Sequence, residues 1–244
     1  MKLTGNTVFI TGGTSGIGLA LARQLTALSN QVIICGRNEP RLAAVKKELP
    51  NLVTYPCDLT DRHDVRRLSH TLKTNHSRLN ILINNAGVQY HNPFNGESVQ
   101  ADWIHEEIHT NLLAPILLTG QLLPHLVSQD RAAVVNITSA LAFAAKRSAP
   151  VYSATKAALR SFTQALREQL TGTSVSVFEV VPSLVDTPMT QGRGSGKISP
   201  ESLVEQALDG MLRDKPEIRI EKTRLLYLLY RLSPNLARHI VSKH

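Results

Sequence analysis

Thr7-Val-Phe-Ile-Thr11, then Gly12-Gly-Thr-Ser-Gly-Ile-Gly18, then the segment from Leu19 to Leu28 is the stretch that decides the fold. Its first five residues are β-branched and aromatic and predict a strand. The glycines predict a sharp turn, and the amphipathic segment behind them predicts a helix. Glycine serves such a turn in three ways. It takes backbone angles closed to other residues, it lets the chain come close to a ligand, and it lets helix and strand pack tightly. The start of the helix then offers unpaired N–H groups and a positive dipole end to an anion. The spacing is G-x-x-x-G-x-G, not G-x-G-x-x-G, so the reading as a nucleotide-phosphate loop rests on its place between a first strand and a first helix.

Working outward, the same alternation repeats. Strand-like runs at Gln31–Cys35, Leu52–Tyr55, Leu79–Ile83, Ala132–Ile137 and Ser174–Val181 are separated by helical patterns at Arg41–Leu49, Asp64–Leu72, about Asp102–Val127 and Tyr152–Leu170. Near-continuous apolar strands between helices predict a parallel sheet covered on both faces. With right-handed crossovers this is an α/β, doubly wound (Rossmann-type) sheet in three α/β/α layers. Ser174–Val181 is read as closing the series, and residues 1–244 as a single domain. Within it, 188–215 is a variable substrate loop or lid region and 216–244 a tail that is both basic and apolar.

Composition sets the outer limits. The 244 residues are 42% hydrophobic and 19% charged, which excludes disordered, collagen-like and coiled-coil chains. A chain of this length buries roughly 70% of its unfolded surface, so it folds without disulfide or metal. The two cysteines, Cys35 and Cys57, end apolar runs and form no CxxC, which predicts buried free thiols in a reducing compartment. The opening Met1-Lys-Leu-Thr-Gly5 has no apolar core of a secretory signal, and no stretch reaches the roughly 18 apolar residues of a membrane span, so a cytoplasmic protein is expected. The net charge of +8 fits an anionic ligand, a membrane surface or nucleic acid. Aromatics, at 5%, are not interleaved with the basic residues, so no nucleic-acid partner is expected.

Two further clusters carry chemistry. After the second strand, where many dinucleotide sites place an acid for the ribose 2′-hydroxyl, the chain reads Cys35-Gly36-Arg37-Asn38. A guanidinium pairs bidentately with a 2′-phosphate, so NADP(H) is expected over NAD(H). Tyr152 and Lys156 stand at i and i+4, one turn apart on a helix face. A nearby ammonium would lower the phenol toward the working pH range. Ser139 ends the preceding strand, thirteen positions before Tyr152, at the edge where parallel sheets bind ligands.

At this point the chain, over about residues 1–190, resembles the short-chain dehydrogenase/reductase family in its single-domain branch. Its MKLTGNTVFITGGTSGIG and VIICGRN also resemble the DltE-type oxidoreductases. The resemblance implies cofactor contacts from the loop at Gly12, Thr14, Ser15, Gly16, Ile17 and Gly18, and from Arg37. Asp58 and Leu59 would lie near the adenine, and Asn85, Ala86 and Gly87 of the NNAG motif along the cofactor. Val185 and Thr187 of Pro182-Ser-Leu-Val-Asp-Thr187 would meet the nicotinamide amide, although Ser183 stands where the family has glycine. It further implies a tetrad of Asn111, Ser139, Tyr152 and Lys156, with Tyr152 and Lys156 also touching the cofactor. The implied reaction is hydride transfer between the nicotinamide and a carbonyl or alcohol of a small molecule. Pairing into a homodimer or homotetramer through the helices near 102–127 and 152–170 is also implied. A binding protein of the same fold that senses the nucleotide without turnover is the alternative.

Three other patterns compete for attention. His105-Glu-Glu-Ile-His109 matches H-E-x-x-H, but Leu112 and Pro115 fall where a third-ligand motif needs Gly and His, so no metal site is expected. Gly194-Ser-Gly-Lys197 fails as a phosphate loop at Gln191 and Ile198. The glycine-rich stretch Thr190–Ser199 reads as a mobile loop, either a substrate lid or a surface loop without a role. The tail from Pro216 holds six Lys/Arg against two Glu around Leu-Leu-Tyr-Leu-Leu-Tyr; core packing or contact between copies is favoured over an interfacial helix on anionic lipid. The substrate pocket is expected at Ala140–Pro150, Gln89–Phe94 and residues 190–200. The small apolar side chains Ala140, Leu141, Ala142, Phe143, Ala144 and Ala145 point to an apolar or mixed carbonyl compound.

Overall fold

The alternating apolar runs become β1 (Thr7–Thr11), β2 (Gln31–Gly36), β3 (Val53–Pro56), β4 (Leu79–Asn84), β5 (Ala132–Ile137), β6 (Val175–Val181) and β7 (Glu217–Arg219). The helices are α1 (Gly16–Ala27), α2 (Glu39–Glu48), α3 (Arg62–Asn75), α4 (Ala101–Ile108), α5 (Ala114–Val127), α6 (Pro150–Gln169), α7 (Pro200–Leu212), α8 (Thr223–Leu232) and α9 (Pro234–Ser242). This computed structural model describes every residue except 92–93, 95–98 and 243–244. Asn92 and Pro93, expected at the substrate pocket, therefore lie outside the described residues.

All seven strands pair in parallel, in the order β3-β2-β1-β4-β5-β6-β7. Period-2 alternation divides the core into two layers. Val8, Ile10, Val32, Ile34, Ile81 and Ile83 pack with α1, α2 and α7. Phe9, Ile33, Leu82, Val134 and Val177 pack with α3, α5 and α6 on the other face. The result is a doubly wound, Rossmann-type sheet. Its strand order reverses between β1 and β4, and a crevice opens there at the carboxyl ends of the strands.

Three features differ from the sequence reading. β6 does not close the series: β7 adds a strand, pairing Ile218 with Val180. Only the middle residue of β7 is apolar, so it carries no apolar run. The helical stretch near 102–127 is broken by one wide π-turn over His109–Leu113. Taken as a whole, Ala101–Val127 does hold an 18-residue window of mean hydropathy 1.2, apolar enough to cross a membrane by length and composition. Leu118, Leu122 and Leu126 are nevertheless fully buried against the sheet, as in a core helix.

The loop after β6 is tied down. Asp186 N donates to Ile198 O at 2.9 Å, and Ile198 N to Leu184 O at 3.0 Å. In the tail, Pro234 opens a second helix where a proline ring is tolerated. Cys35 and Cys57 are free and buried.

Candidate active site

The tips of β1, β4, β5 and β6 enclose one cavity of about 1250 Å³. At its β1 end Gly12 has φ +67°, in the left-handed region, and a Cβ there would stand 3.0 Å from Ala86 Cα. Asn85 braces the turn: its side-chain amide donates to Thr11 O at 2.9 Å and to Gly12 O at 3.2 Å. Ser15 precedes α1 in extended conformation with no side-chain cap, and no acid sits in the first helical turn. The α1 N–H groups and dipole thus face the cavity uncompensated, which suits a pyrophosphate. Ser183 Oγ, buried and without a partner among the described residues, lies on the cavity wall as well. A free α1 start, a glycine turn that a Cβ would crowd and an orphaned hydroxyl together fit a dinucleotide.

Arg37 reaches the wall from the end of β2, but its guanidinium is engaged. Nη1 pairs with Glu106 Oε1 of α4 at 2.5 Å, and Tyr90 Oη donates to Glu106 Oε2 at 2.5 Å. Asp58 and Leu59 follow β3 onto the same wall. One Asp58 oxygen already accepts from Thr60 N and Oγ1, at 2.9 and 2.8 Å. Thr187 closes over the glycine turn, within 3.0 Å of where a Gly16 Cβ would be, and Val185 is buried beside it.

At the other end of the cavity α6 brings in Tyr152 and Lys156, both buried. Ser139 starts a short helical turn after β5, where its Oγ accepts from Leu141 N at 3.1 Å. The neighbouring Ser139 hydroxyl acts to lower the pKa of the Tyr152 phenol. Burial outweighs that effect and pushes Tyr152 up to about 12, against the expectation that the ammonium would lower it. The reason is geometric. Lys156 Nζ donates to Ile137 O at 2.8 Å and stands 5.8 Å from the Tyr152 ring centroid. Burial in turn lowers Lys156 to about 8.

Every candidate site residue read from the sequence lies on this cavity except Asn111. Asn111 is fully buried in the π-turn, a distortion often found at functional sites. Its Oδ1 accepts from Val88 N at 2.8 Å and its Nδ2 donates to Thr155 Oγ1 at 3.3 Å. Gly87 separates it from Lys156: a Cβ there would be 3.2 Å from Asn111 Oδ1 and 3.7 Å from Lys156 Nζ. A buried polar chain holds the supporting elements in register. Asn84 donates to Thr119 and Asn136, at 3.3 and 2.8 Å, and Asn136 to Thr163 at 2.8 Å, joining α5, β4, β5 and α6.

The substrate pocket is corrected in one respect. Of Ala140–Pro150, only Ala140, Leu141 and Lys146 face the cavity. Phe143 turns to Tyr227 of α8, with ring centroids 5.0 Å apart. Apolar lining comes instead from the tail, at Leu225, Leu226, Leu229, Ile240 and Val241. The 190s loop contributes Thr190 and Arg193 to Gly196.

Sequence reasoning also missed Glu106 and Glu107. Glu107 is buried, accepts from Tyr90 N at 2.8 Å, and is raised in pKa chiefly by burial. His105 and His109 stack ring on ring at 3.9 Å while Glu106 serves Arg37 and Tyr90. Among the described residues no group of three metal-ligating side chains forms.

Comparisons with known proteins converge. The pattern of the family described as short chain dehydrogenase matches residues 6–197. An uncharacterised oxidoreductase, DltE, of Bacillus subtilis (strain 168) is 45% identical over 228 residues, spanning 91% of this chain and 90% of that protein. A short chain dehydrogenase from Burkholderia cenocepacia J2315, solved with NADP, superposes with a TM-score of 0.88 at 24% identity, covering 99% of each chain. One from Sphingobium yanoikuyae, solved with NADPH, gives a TM-score of 0.83 at 26% identity over 95% of each chain.

Proposed function

The chain belongs to the short-chain dehydrogenase family, and on that premise we propose that it is an NADP(H)-dependent oxidoreductase interconverting a carbonyl and an alcohol of a small molecule. One observation carries the reading: Tyr152, Ser139 and Lys156 meet in the cavity whose far end is the glycine turn. The cavity, from the glycine turn to Val185 and Thr187, would hold a nicotinamide cofactor, which when bound would supply or accept the hydride.

The chain's own groups then manage the oxygen. A phenol raised to about 12 keeps its proton at neutral pH, so in reduction Tyr152 is the donor to the developing alkoxide. Ser139, on the same cavity wall, holds the substrate oxygen beside that phenol. Lys156, at about 8 and turned toward Ile137 O, would hold the ribose of the bound cofactor. Asn111 links Lys156 to solvent through water. In oxidation Tyr152 takes the proton back. Arg37 would hold a 2′-phosphate by giving up its pairing with Glu106. The related dehydrogenase from Sphingobium yanoikuyae, solved with NADPH, supports this choice. Glu106 favours a second reading, NAD(H), because a carboxylate at that position would accept from a ribose 2′-hydroxyl. Copies of the chain pair through the helical stretch 102–127 and α6; Leu113 of the π-turn and Leu117 and Val127 of α5 are exposed there.

The test is turnover on a carbonyl and alcohol panel followed by NADPH absorbance. Tyr152→Phe keeps the ring and loses the proton, and should lower kcat by roughly 10²-fold or more. Full turnover in that variant would remove Tyr152 from the mechanism. Tight cofactor binding with no turnover on any substrate would favour a nucleotide sensor. NADH binding as tight as NADPH would favour the second reading.

A further inference from the structure

The C-terminal hairpin of α8 and α9 has two unlike faces. One face packs inward: Thr223 and Ala237 are buried, and Tyr227 lies between Phe143 and the Arg219 guanidinium, the latter 3.6 Å from its ring centroid. The other face exposes Leu225 (70%), Leu228, Leu232 (85%), Leu236 and Ile240. Folded chains seldom leave so many large aliphatic side chains together in water without a use for them. Around this face stand Lys222, Arg224, Arg231 and Arg238, all exposed. Among the described residues no ion pair neutralises any of the four, and the one acid of the hairpin region, Glu221, accepts from Gln206 at 3.4 Å.

Three observations select the occupant. Unpaired cations flanking an apolar stripe match an anionic lipid surface, where Leu side chains enter the acyl boundary and Arg reaches the headgroups. A two-fold pairing of copies through the same face would set these cations against themselves with no acids to meet them. The face is also continuous with the cavity, because Leu225 and Ile240 belong to both.

We infer that the α8–α9 hairpin is an interfacial docking element that seats this protein on an anionic membrane surface with the cavity mouth against the lipid. A substrate entering there carries an alkyl chain next to its carbonyl or alcohol; this second clause rests on the redox function proposed above.

The experiment is co-sedimentation of the full chain with vesicles of phosphatidylcholine alone and of phosphatidylcholine mixed with phosphatidylglycerol, at low and high salt. Size-exclusion chromatography and thermal unfolding run alongside. Binding to the mixed vesicles only, weakened by salt, is expected. Leu228→Gln/Leu232→Gln and Arg231→Glu/Arg238→Glu should each weaken vesicle affinity at least about ten-fold with the melting temperature unchanged. No pelleting with mixed vesicles, or equal pelleting of the variants, overturns the docking. So does a leucine variant that only converts a larger species into monomer, which makes the face a contact between copies. For the second clause, NADPH oxidation is compared with long-chain alkanals and propanal. Preference for propanal overturns the clause. Failure of every alkanal and of the wider carbonyl panel overturns the redox function instead, and the vesicle result still decides the docking.

Discussion

Burial pulls Lys156 down to about 8 and lifts Tyr152 to about 12, so the two groups move apart in opposite directions from the same cause. A lysine whose folded pKa is lowered binds fewer protons folded than unfolded between about pH 8 and 10.5, so its stability term rises with pH across that window. Relative to Lys156→Met, the wild type should therefore gain on the order of 2 kcal/mol between pH 7 and 9.5 in the absence of cofactor, as measured by denaturant unfolding at each pH. A flat difference would mean that Lys156 is already neutral or fully solvated. Glu106 permits another check. It occupies Arg37, whose side chain is 61% exposed, so the pair is worth about 1 kcal/mol after solvent screening. Glu106→Gln should then tighten NADPH about five-fold by direct titration. The meeting of Tyr152, Lys156 and Ser139 on one cavity was legible in the sequence because the i, i+4 spacing puts the first two on one helix face and the third ends the neighbouring strand. Glu106 was not, because its partner lies 69 positions away.

Elements with long apolar runs were legible, and those stabilised by charge were not. β7 holds its edge position through ions: Arg160 of α6 pairs with Glu179 of β6 at 2.5 Å and with Glu217 of β7 at 3.2 Å, while Arg219 pairs with Glu217. Glu179 is fully buried and also accepts from Thr138 Oγ1 at 2.7 Å. Arg160→Met would strand that carboxylate and should cost about 3–5 kcal/mol by chemical denaturation; adding Glu179→Gln should recover part of the loss. The π-turn at His109–Leu113 likewise left no trace in the apolar pattern, since one extra residue in a turn changes the hydrogen bonding and not the composition. The tail reads in the sequence as core packing or a contact between copies. Its place on the cavity wall depends on Phe143 and Tyr227 meeting across 84 positions of chain, which no local pattern encodes.

For the molecule as a whole, a ligand that binds only the folded state adds stability by mass action. NADPH at about 100 times its dissociation constant should add about 2.7 kcal/mol, which for a chain of this size is roughly 5–10 °C in melting temperature. NADH at the same concentration should add less, and equal shifts would count against Arg37 as a selector. The doubly wound topology was legible from β1, β4, β5 and β6, whose residues are almost all buried beneath both helical layers. The central place of β1 also governs how the protein reaches this state. Thr11 at its tip leans on Ile83, 72 positions away, so the loop between them must close before the phosphate turn takes shape. Helices and the local β1–β2 pairing can form earlier, but the turn waits on that distant closure. During renaturation, recovery of nucleotide affinity therefore trails the return of helical signal.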